Sequence, residues 1–215
     1  MAKALIFDYN GVLVNDVKLH VKAYQQVLEE AGADVSKEAI VSRLGQPTSE
    51  VVRIALRDFG INADYLELTE KKISLVNKWS KEHGVFPPNN LAVVRKLKKK
   101  YRIAIYSASL LSQMKEPPKE FFELFEEIVT GDTVLEKKLG SKPDPHALHY
   151  TAEKLGVKSA ECAYVGDLPS DMIAAKRAGM KAIGLATEVC GREELKKAGA
   201  DVVVNELKEL LEIKL

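Results

Sequence analysis

The sequence predicts an α/β fold with a parallel sheet, and two observations support that prediction. Short apolar runs that end in polar turns recur along the chain, and helical patterns separate most of them. Such alternation is typical of right-handed strand–helix–strand units, which build parallel sheets. Residues 16–83 break the alternation, because several amphipathic helical patterns follow one another there without a strand. We therefore expect a Rossmann-like three-layer core, residues 1–15 and 84–215, with an inserted all-helical cap domain at residues 16–83.

The strands are predicted from the apolar runs in chain order. Residues 4–7 form the first run and end at a tight polar turn, as a fully buried strand does. The same pattern predicts strands at residues 102–106, 127–129, 162–165, 181–185 and 202–204. Because ligands bind beyond the carboxyl ends of the strands in open α/β sheets, the polar residues that follow these runs are expected to converge.

The helices are predicted from apolar spacing and from the glycines that end them. In the inserted segment the pattern predicts helices over residues 17–31, 36–44, 49–59 and 66–83, and residues 84–88 form the return linker. Gly32, Gly45 and Gly60 stand where a helix would stop. In the core the pattern predicts a helix ending at the lysine run 98–100, and further helices over residues 147–155, 172–178 and 206–211.

Composition and charge exclude several classes of protein. Lys and Arg number 32 against 31 Asp and Glu, so the net charge is +1 and we expect no nucleic-acid partner. Cys162 and Cys190 lack metal-ligand spacing and are expected to be reduced packing residues. No apolar stretch approaches membrane-spanning length, and the N-terminus passes directly into a strand-like run without a signal peptide. We expect a cytoplasmic protein, monomeric or a small homo-oligomer, with no membrane partner.

Two acidic strand ends carry the first chemical signals. Asp8 follows the first strand, and Gly11 behind it lets backbone N–H groups approach an anion closely. A carboxylate there serves as a nucleophile, a metal ligand or a turn former. Asp167 and Asp171 follow the strand 162–165, at the same edge of the sheet. Because buried carboxylates repel one another, Asp8 and Asp167 are expected to share a cation, and oxygen-only ligands suit Mg²⁺; Asp171 either assists or caps the next helix.

Two further strand ends and loops add a cation and a hydroxyl. Lys142 precedes the segment Pro143-Asp144-Pro145. The two proline rings restrict the backbone and so aim the lysine at the site. Ser107 follows the strand 102–106, where a hydroxyl either donates to a phosphoryl oxygen or caps a helix.

Together these segments resemble the four motifs of the haloacid dehalogenase superfamily, in order and spacing, across the whole core. The helical insertion is similar to the small cap of the phosphoglycolate phosphatase and β-phosphoglucomutase branches. The resemblance implies a hydrolase of small phosphorylated metabolites that passes through an aspartyl-phosphate. It implies Asp8, Asn10, Ser107 and Lys142 as catalytic residues, with Asp8, the Asn10 backbone carbonyl, Asp167 and Asp171 around Mg²⁺. It implies substrate binding by Gly11, Val12, Ser107, Ala108, Lys142 and His20.

Asn10 departs from the family pattern, which usually places a second aspartate there as the general acid and base. An amide transfers protons poorly, so turnover of ordinary esters is expected to be slow. Three explanations stay open: an engineered substitution, a native protein that binds phosphorylated ligands with little turnover, or a native enzyme whose leaving group needs little protonation. The alternatives to a phosphatase are a non-catalytic phosphometabolite-binding protein, a phosphomutase and a haloacid dehalogenase. The acidic segment 166–171 argues against the last of these.

In the cap, the residues facing the core are expected to select the substrate. His20 lies where related caps often carry a histidine, and Arg43 and Thr48 are the other candidates to reach a polar substrate. Trp79 is expected to pack within the cap. The physiological substrate itself is not predicted by the sequence.

Overall fold

The computed structural model describes residues 2–114 and 117–214, and a six-stranded parallel sheet lies at its centre. The sheet runs in the order β3-β2-β1-β4-β5-β6, so that β1 lies between β2 and β4. The strands are β1 (Ala4–Phe7), β2 (Arg102–Tyr106), β3 (Glu127–Val129), β4 (Cys162–Gly166), β5 (Lys181–Leu185) and β6 (Val202–Val204). The parallel-sheet prediction is confirmed, and β4 extends one residue beyond its predicted end.

Helices fill the connections between the strands. Four of them, which we call the helical insert, follow β1: α1 (Val17–Glu30), α2 (Lys37–Val41), α3 (Thr48–Asp58) and α4 (Tyr65–His83). The others are α5 (Asn90–Lys98), α6 (Lys119–Phe122), α7 (Gly131–Lys137), α8 (His146–Lys154), α9 (Pro169–Arg177) and α10 (Arg192–Lys197).

Three helix predictions are wrong in detail, and one of them, the start of α9, is described with the site below. The second helix of the insert was expected to reach residue 44 but ends at Val41, and the Ser42 hydroxyl then donates to the Ala39 carbonyl in place of a continuing helical pattern. The C-terminal segment forms a 3₁₀ helix over Leu207–Leu211, a form that suits so short a run.

The sheet is covered on both faces, which gives the expected three layers. Alternate residues of each strand point to opposite faces. Ile6, Tyr106 and Tyr164 belong to the apolar cluster that includes α8 and α9, whereas Leu5 and Phe7 belong to the cluster that includes α5 and the C-terminal turn. Within the part of the chain that the structure describes, no helix has the length and apolarity needed to cross a bilayer.

The helical insert joins the core through two adjacent linkers. The Asn15 N–H donates to the Val85 carbonyl at 2.8 Å, and Gly84 ends α4 with a φ of +64°. The loop between α2 and α3 approaches the core closely, because a Cβ atom on Gly45 would lie 2.9 Å from Ser170 Oγ. The insert therefore lies over the carboxyl end of the sheet.

Candidate active site

Three buried carboxylates meet at the carboxyl end of the sheet. Asp8 follows β1, Asp167 follows β4, and Asp171 lies in the first turn of α9. Each offers an oxygen within 4.8 Å of the others, and all three side chains are almost fully buried. The two acidic strand ends that the sequence places at one edge are thus brought together, as their parallel neighbouring strands require.

Lys142 supplies the single ammonium among the described residues that contacts this cluster. Its Nζ atom lies 2.7 Å from Asp8 Oδ2, 2.7 Å from Asp171 Oδ1 and 3.0 Å from the Tyr164 hydroxyl. Burial by itself lowers the pKa of Lys142, but the charges of Asp171 and Asp8 outweigh it and raise the pKa above its ordinary value. The lysine is therefore a fixed positive charge beside Asp8.

Asp171 holds this arrangement in place through all of its lone pairs. Its Oδ2 accepts the backbone N–H groups of Asp167 and Leu168 at 3.1 and 3.0 Å, while its Oδ1 accepts from Lys142 and the Tyr164 hydroxyl. The helix begins at Pro169, three residues before its predicted start, so Asp171 lies within the first turn rather than before it. Asp171 is therefore placed to orient Lys142 and the Asp167 loop.

Asp167 has the opposite environment. Within residues 2–114 and 117–214, neither of its carboxylate oxygens has a hydrogen-bond partner, although the side chain is fully buried. Burial, followed by the charges of Asp171 and Asp8, raises its pKa well above the ordinary value. Gly11, at a φ of +75°, makes room for this carboxylate, because a Cβ there would lie 2.1 Å from Asp167 Oδ2. Unpartnered buried oxygens of this kind need a partner from outside the chain, and a cation is one that suits them.

The charges of the cluster fit a divalent ion. Three carboxylates and one ammonium leave two negative charges without compensation inside the protein. Burial also raises the pKa of Asp8 to about 6, against the opposing effect of Lys142. An all-oxygen donor set with two excess negative charges suits Mg²⁺. The residues present therefore fit the metal that the sequence predicts.

Asn10 is held on both sides by hydrogen bonds. Its Oδ1 accepts from Ser109 Oγ at 2.6 Å and from Ser107 Oγ at 3.5 Å, and its Nδ2 donates to Asp16 Oδ2 at 2.7 Å. These partners fix the orientation of the amide. Ser107 and Ser109 thus lie beside residue 10 at the end of β2, as the strand-end pattern predicts for Ser107.

A buried lysine of the helical insert, Lys72, was not predicted by the sequence reasoning. Its Nζ lies 2.8 Å from His20 Nδ1, and His20 Nε2 lies 3.4 Å from Asp16 Oδ2. Burial lowers the pKa of Lys72 to about 7, and burial together with Lys72 lowers the pKa of His20. A signal for Lys72 existed: it stands between Leu68 and Val76 at four-residue spacing, on the inward face of α4.

The remaining predicted residues divide into those near Asp8 and those away from it. His20, Thr48 and Ala108 line a small cavity of about 50 Å³ that also contains Asp8 and Lys142. Val12 is instead buried in the apolar cluster that includes α5.

Two residues of the helical insert are engaged elsewhere. The Arg43 guanidinium donates to the Ala39 carbonyl and to Asp58 within the insert. The centre of the Trp79 ring lies 4.8 Å from Lys22 Nζ, which agrees with packing within the insert.

Tyr164, which the sequence reasoning missed, lies mid-strand in β4, where no pattern marks it as polar.

Comparisons with known proteins place the chain among relatives of its own length. A family described as haloacid dehalogenase-like hydrolase matches residues 5–185. A phosphoglycolate phosphatase from Vibrio parahaemolyticus is 28% identical, over 98% of this chain and 95% of its own. Two solved structures share the fold. A hydrolase from Pseudomonas syringae has a TM-score of 0.81 at 24% identity, covering 98% of this chain and 96% of its own. A β-phosphoglucomutase from Clostridium difficile has a TM-score of 0.78 at 22% identity, covering 98% of this chain and 93% of its own.

Proposed function

The chain belongs to the haloacid dehalogenase-like hydrolase family, and on that premise we propose that it is a magnesium-dependent phosphohydrolase acting on a small phosphorylated metabolite. One observation carries the proposal: the Lys142 ammonium binds both Asp8 and Asp171, while both oxygens of Asp167 lack hydrogen-bond partners among the described residues. Such a cluster is suited to a dianionic phosphoryl group only if a divalent cation joins it.

Asp8 is the nucleophile in this proposal. A carboxylate oxygen of Asp8 forms a bond to phosphorus as the ester P–O bond breaks, and the alkoxide leaves with the bonding electrons and takes a proton from water. Water then cleaves the aspartyl-phosphate, releasing inorganic phosphate and restoring the carboxylate. Covalent catalysis of this kind divides one difficult displacement into two easier ones. The Tyr9 N–H donates to Asp8 Oδ1 at 2.7 Å and helps to orient the attacking group.

Mg²⁺ would be held by the carboxylates of Asp8 and Asp167 and by the backbone carbonyl of Asn10. When bound, it supplies positive charge to the phosphoryl oxygens. Lys142 contributes a second, permanent positive charge, and the Ser107 hydroxyl donates to a phosphoryl oxygen. Asp171 keeps Lys142 in position and does not itself need to bind the metal, because its oxygens already accept hydrogen bonds.

Residues 16–83 act as the cap in this proposal. The loop around Gly45 already approaches Ser170, and the cap ion pair Lys18–Glu188 joins α1 to the segment after β5. Closure of such a cap excludes water from the phosphoryl site and positions the leaving group.

Asn10 supports a second candidate, a phosphometabolite-binding protein with little turnover. The amide is hydrogen-bonded to Asp16 and to the serines after β2, so it is stably accommodated but has no proton to transfer to a leaving group. Phosphate binding by Lys142, and by Mg²⁺ held at Asp8 and Asp167, does not require the missing acid. The two candidates therefore share one site and differ in turnover.

Hydrolysis of p-nitrophenyl phosphate, with Mg²⁺ and with EDTA, separates them. We expect slow Mg²⁺-dependent turnover by the protein and an increase of about 10²–10⁴-fold in Asn10→Asp, since the carboxylate restores proton transfer. Asp8→Asn is the matched control and should abolish turnover in both backgrounds. Equal turnover with EDTA contradicts the phosphatase proposal, and no turnover by Asn10→Asp favours the binding protein.

A further inference from the structure

An apolar chamber adjoins the phosphoryl site between the helical insert and the core. It has a volume of about 120 Å³. The insert lines it with Pro47 and Thr48 at the start of α3 and with Ile73 on α4. The core lines it with Leu110, which follows β2, and with Val134 on α7. A comparable apolar cavity of about 150 Å³ in another protein accepts one benzene ring.

The chamber lies beside the site that would hold the phosphoryl group, because the two cavities share lining residues. Tyr106 and Ala108, which line it, flank Ser107, and Ser141, which also lines it, precedes Lys142. Thr48 and Ala108 border both this chamber and the cavity around Asp8. An alcohol group that extends from a phosphoryl group at Asp8 past Thr48 and Ala108 would enter the chamber.

The absence of charged side chains from its described lining distinguishes this chamber from the cavities beside it. Among the described residues that line it there is no lysine, arginine, histidine, aspartate or glutamate. The nearest site ammonium, Lys142, is already bound by Asp8 and Asp171. His20 and Lys72 line a neighbouring small cavity that shares Ile73 and Gln113 with the chamber, but neither of them lines the chamber itself. A carboxylate or second phosphoryl group in the chamber would lose its hydration without gaining a cation.

The rim of the chamber is apolar as well. Leu135, on α7, lines the chamber and is 64% exposed. The hydroxyl of Thr69 and the amide of Gln113 are engaged with backbone groups, of Tyr65 and Leu110 respectively. An apolar group entering here covers Leu135 and leaves those hydrogen bonds intact, which favours burial of hydrocarbon.

We propose that the chamber binds the leaving group and that the substrates are phosphate esters of small, uncharged, largely apolar alcohols. This rests on the proposed phosphatase function. It separates this chain from its phosphoglycolate phosphatase relative, whose named substrate carries a carboxylate.

Two isosteric esters test the proposal. Isobutyl phosphate and phosphoglycolate have the same number and branching of non-hydrogen atoms and differ in an isopropyl group against a carboxylate. We expect kcat/KM, measured with Mg²⁺, to be at least about tenfold higher for isobutyl phosphate, a ratio in the range that pocket contacts produce. The comparison is made in the protein and in Asn10→Asp. Equal values, or a preference for phosphoglycolate, overturn the proposal.

A charge introduced at the rim provides the reciprocal test. Leu135→Arg places a guanidinium beside the chamber at an exposed position, and should raise kcat/KM for phosphoglycolate while lowering it for isobutyl phosphate. Phe59→Arg is the matched control, because Phe59 is also exposed but follows the far end of α3, roughly 16 Å along that helix from Thr48. The same change of preference in both variants contradicts a role for the chamber.

Binding of the non-hydrolysable phosphonates keeps this inference separate from the phosphatase proposal. If neither ester is cleaved yet 3-methylbutylphosphonate binds more tightly than 3-phosphonopropionate in calorimetry, the chamber is supported and the phosphatase proposal fails. If both esters are cleaved and phosphoglycolate is preferred, the phosphatase proposal stands and the apolar-substrate proposal fails. Tighter binding of 3-phosphonopropionate also contradicts the proposal.

Discussion

At the scale of the residue, Lys72 shows how burial changes the behaviour of a single charge. Its Nζ lies 2.8 Å from His20 Nδ1 and 4.3 Å from the centre of the Tyr24 ring, and its side chain is almost fully buried. When Lys72 is protonated, its ammonium donates to His20 Nδ1, and the proton of the neutral imidazole then lies on Nε2, 3.4 Å from Asp16 Oδ2. The protonation of Lys72 and the tautomer of His20 are therefore linked.

The same burial predicts a pH dependence of stability that depends on Lys72. Its pKa falls from 10.5 to about 7 in the folded protein, so the unfolded chain binds the extra proton throughout that interval. Lys72 therefore makes the free energy of unfolding increase as pH rises from about 7 to 10.5, because stability increases with pH wherever the unfolded state binds more protons. In Lys72→Met this contribution is absent.

Urea unfolding at pH 7 and at pH 10 measures the difference. Lys78→Met, on the same helix at an exposed position, is the control and should keep the slope of the unmodified protein. An identical slope in Lys72→Met would mean that the lysine is hydrated in solution.

Sequence patterns predicted the residues at strand ends and missed those whose role depends on side-chain burial. Asp8, Asp167 and Lys142 stand after strands or in a proline-restricted loop, and the fold brings them together. Tyr164 lies inside an apolar strand, and its hydroxyl belongs to the site only because the fold brings Lys142 Nζ within hydrogen-bond distance of it. The ion pair of Arg43 with Asp58 likewise follows from no local pattern, because the two residues are brought together by the packing of the insert.

At the scale of the element, the contact between β4 and α9 sets the position of the acidic loop. Gly166 ends β4, and a Cβ atom there would lie 2.3 Å from the Cβ of Asp171 on α9. No side chain fits in this space without moving the helix. The strand therefore ends in glycine so that Asp171 can reach Lys142 and the N–H groups of its own loop.

Gly166→Ala is expected to displace α9 and weaken the fold. The added methyl group overpacks the junction, which typically costs about 1–3 kcal/mol, and it also moves Asp171 away from Lys142. Gly191→Ala is the matched control, since its φ of −86° is ordinary and the nearest contact of a Cβ is 3.9 Å away. Urea denaturation compares the two, and equal stability would contradict close packing at Gly166.

The elements were predictable where burial is uniform and less so where ends depend on local hydrogen bonds. The central strands β1 and β4 are buried at every residue, because a parallel sheet with helices on both faces leaves no side of its central strands in water. The strands β2, β3 and β5 each begin with a charged residue and continue as apolar runs. The end of α2 was predicted three residues too late, since the Ser42 hydroxyl bonds to the backbone there. The start of α9 was predicted late because Pro169 and Ser170 were assigned to the loop.

At the scale of the whole molecule, the charge of the site makes folding and ligand binding interdependent. The apolar clusters on both faces of the sheet stabilise a fold whose central edge carries three carboxylates and one ammonium. Without a cation, two negative charges remain uncompensated and burial makes them unfavourable. A divalent cation that binds only the folded state should therefore raise the stability of the entire chain.

Asp167→Asn tests this interdependence, because Asp167 is the carboxylate without a hydrogen-bond partner among the described residues. In EDTA the variant should be more stable than the unmodified protein, since a neutral amide replaces an uncompensated buried charge. With Mg²⁺ the order should reverse: the unmodified protein gains about 2.7 kcal/mol when Mg²⁺ is 100 times its Kd, and the variant gains little. Asp201→Asn, at an acidic residue paired with Lys176 far from the cluster, controls for the loss of a carboxylate. Thermal unfolding with EDTA or Mg²⁺ measures all three proteins, and parallel responses to Mg²⁺ would place the cation elsewhere.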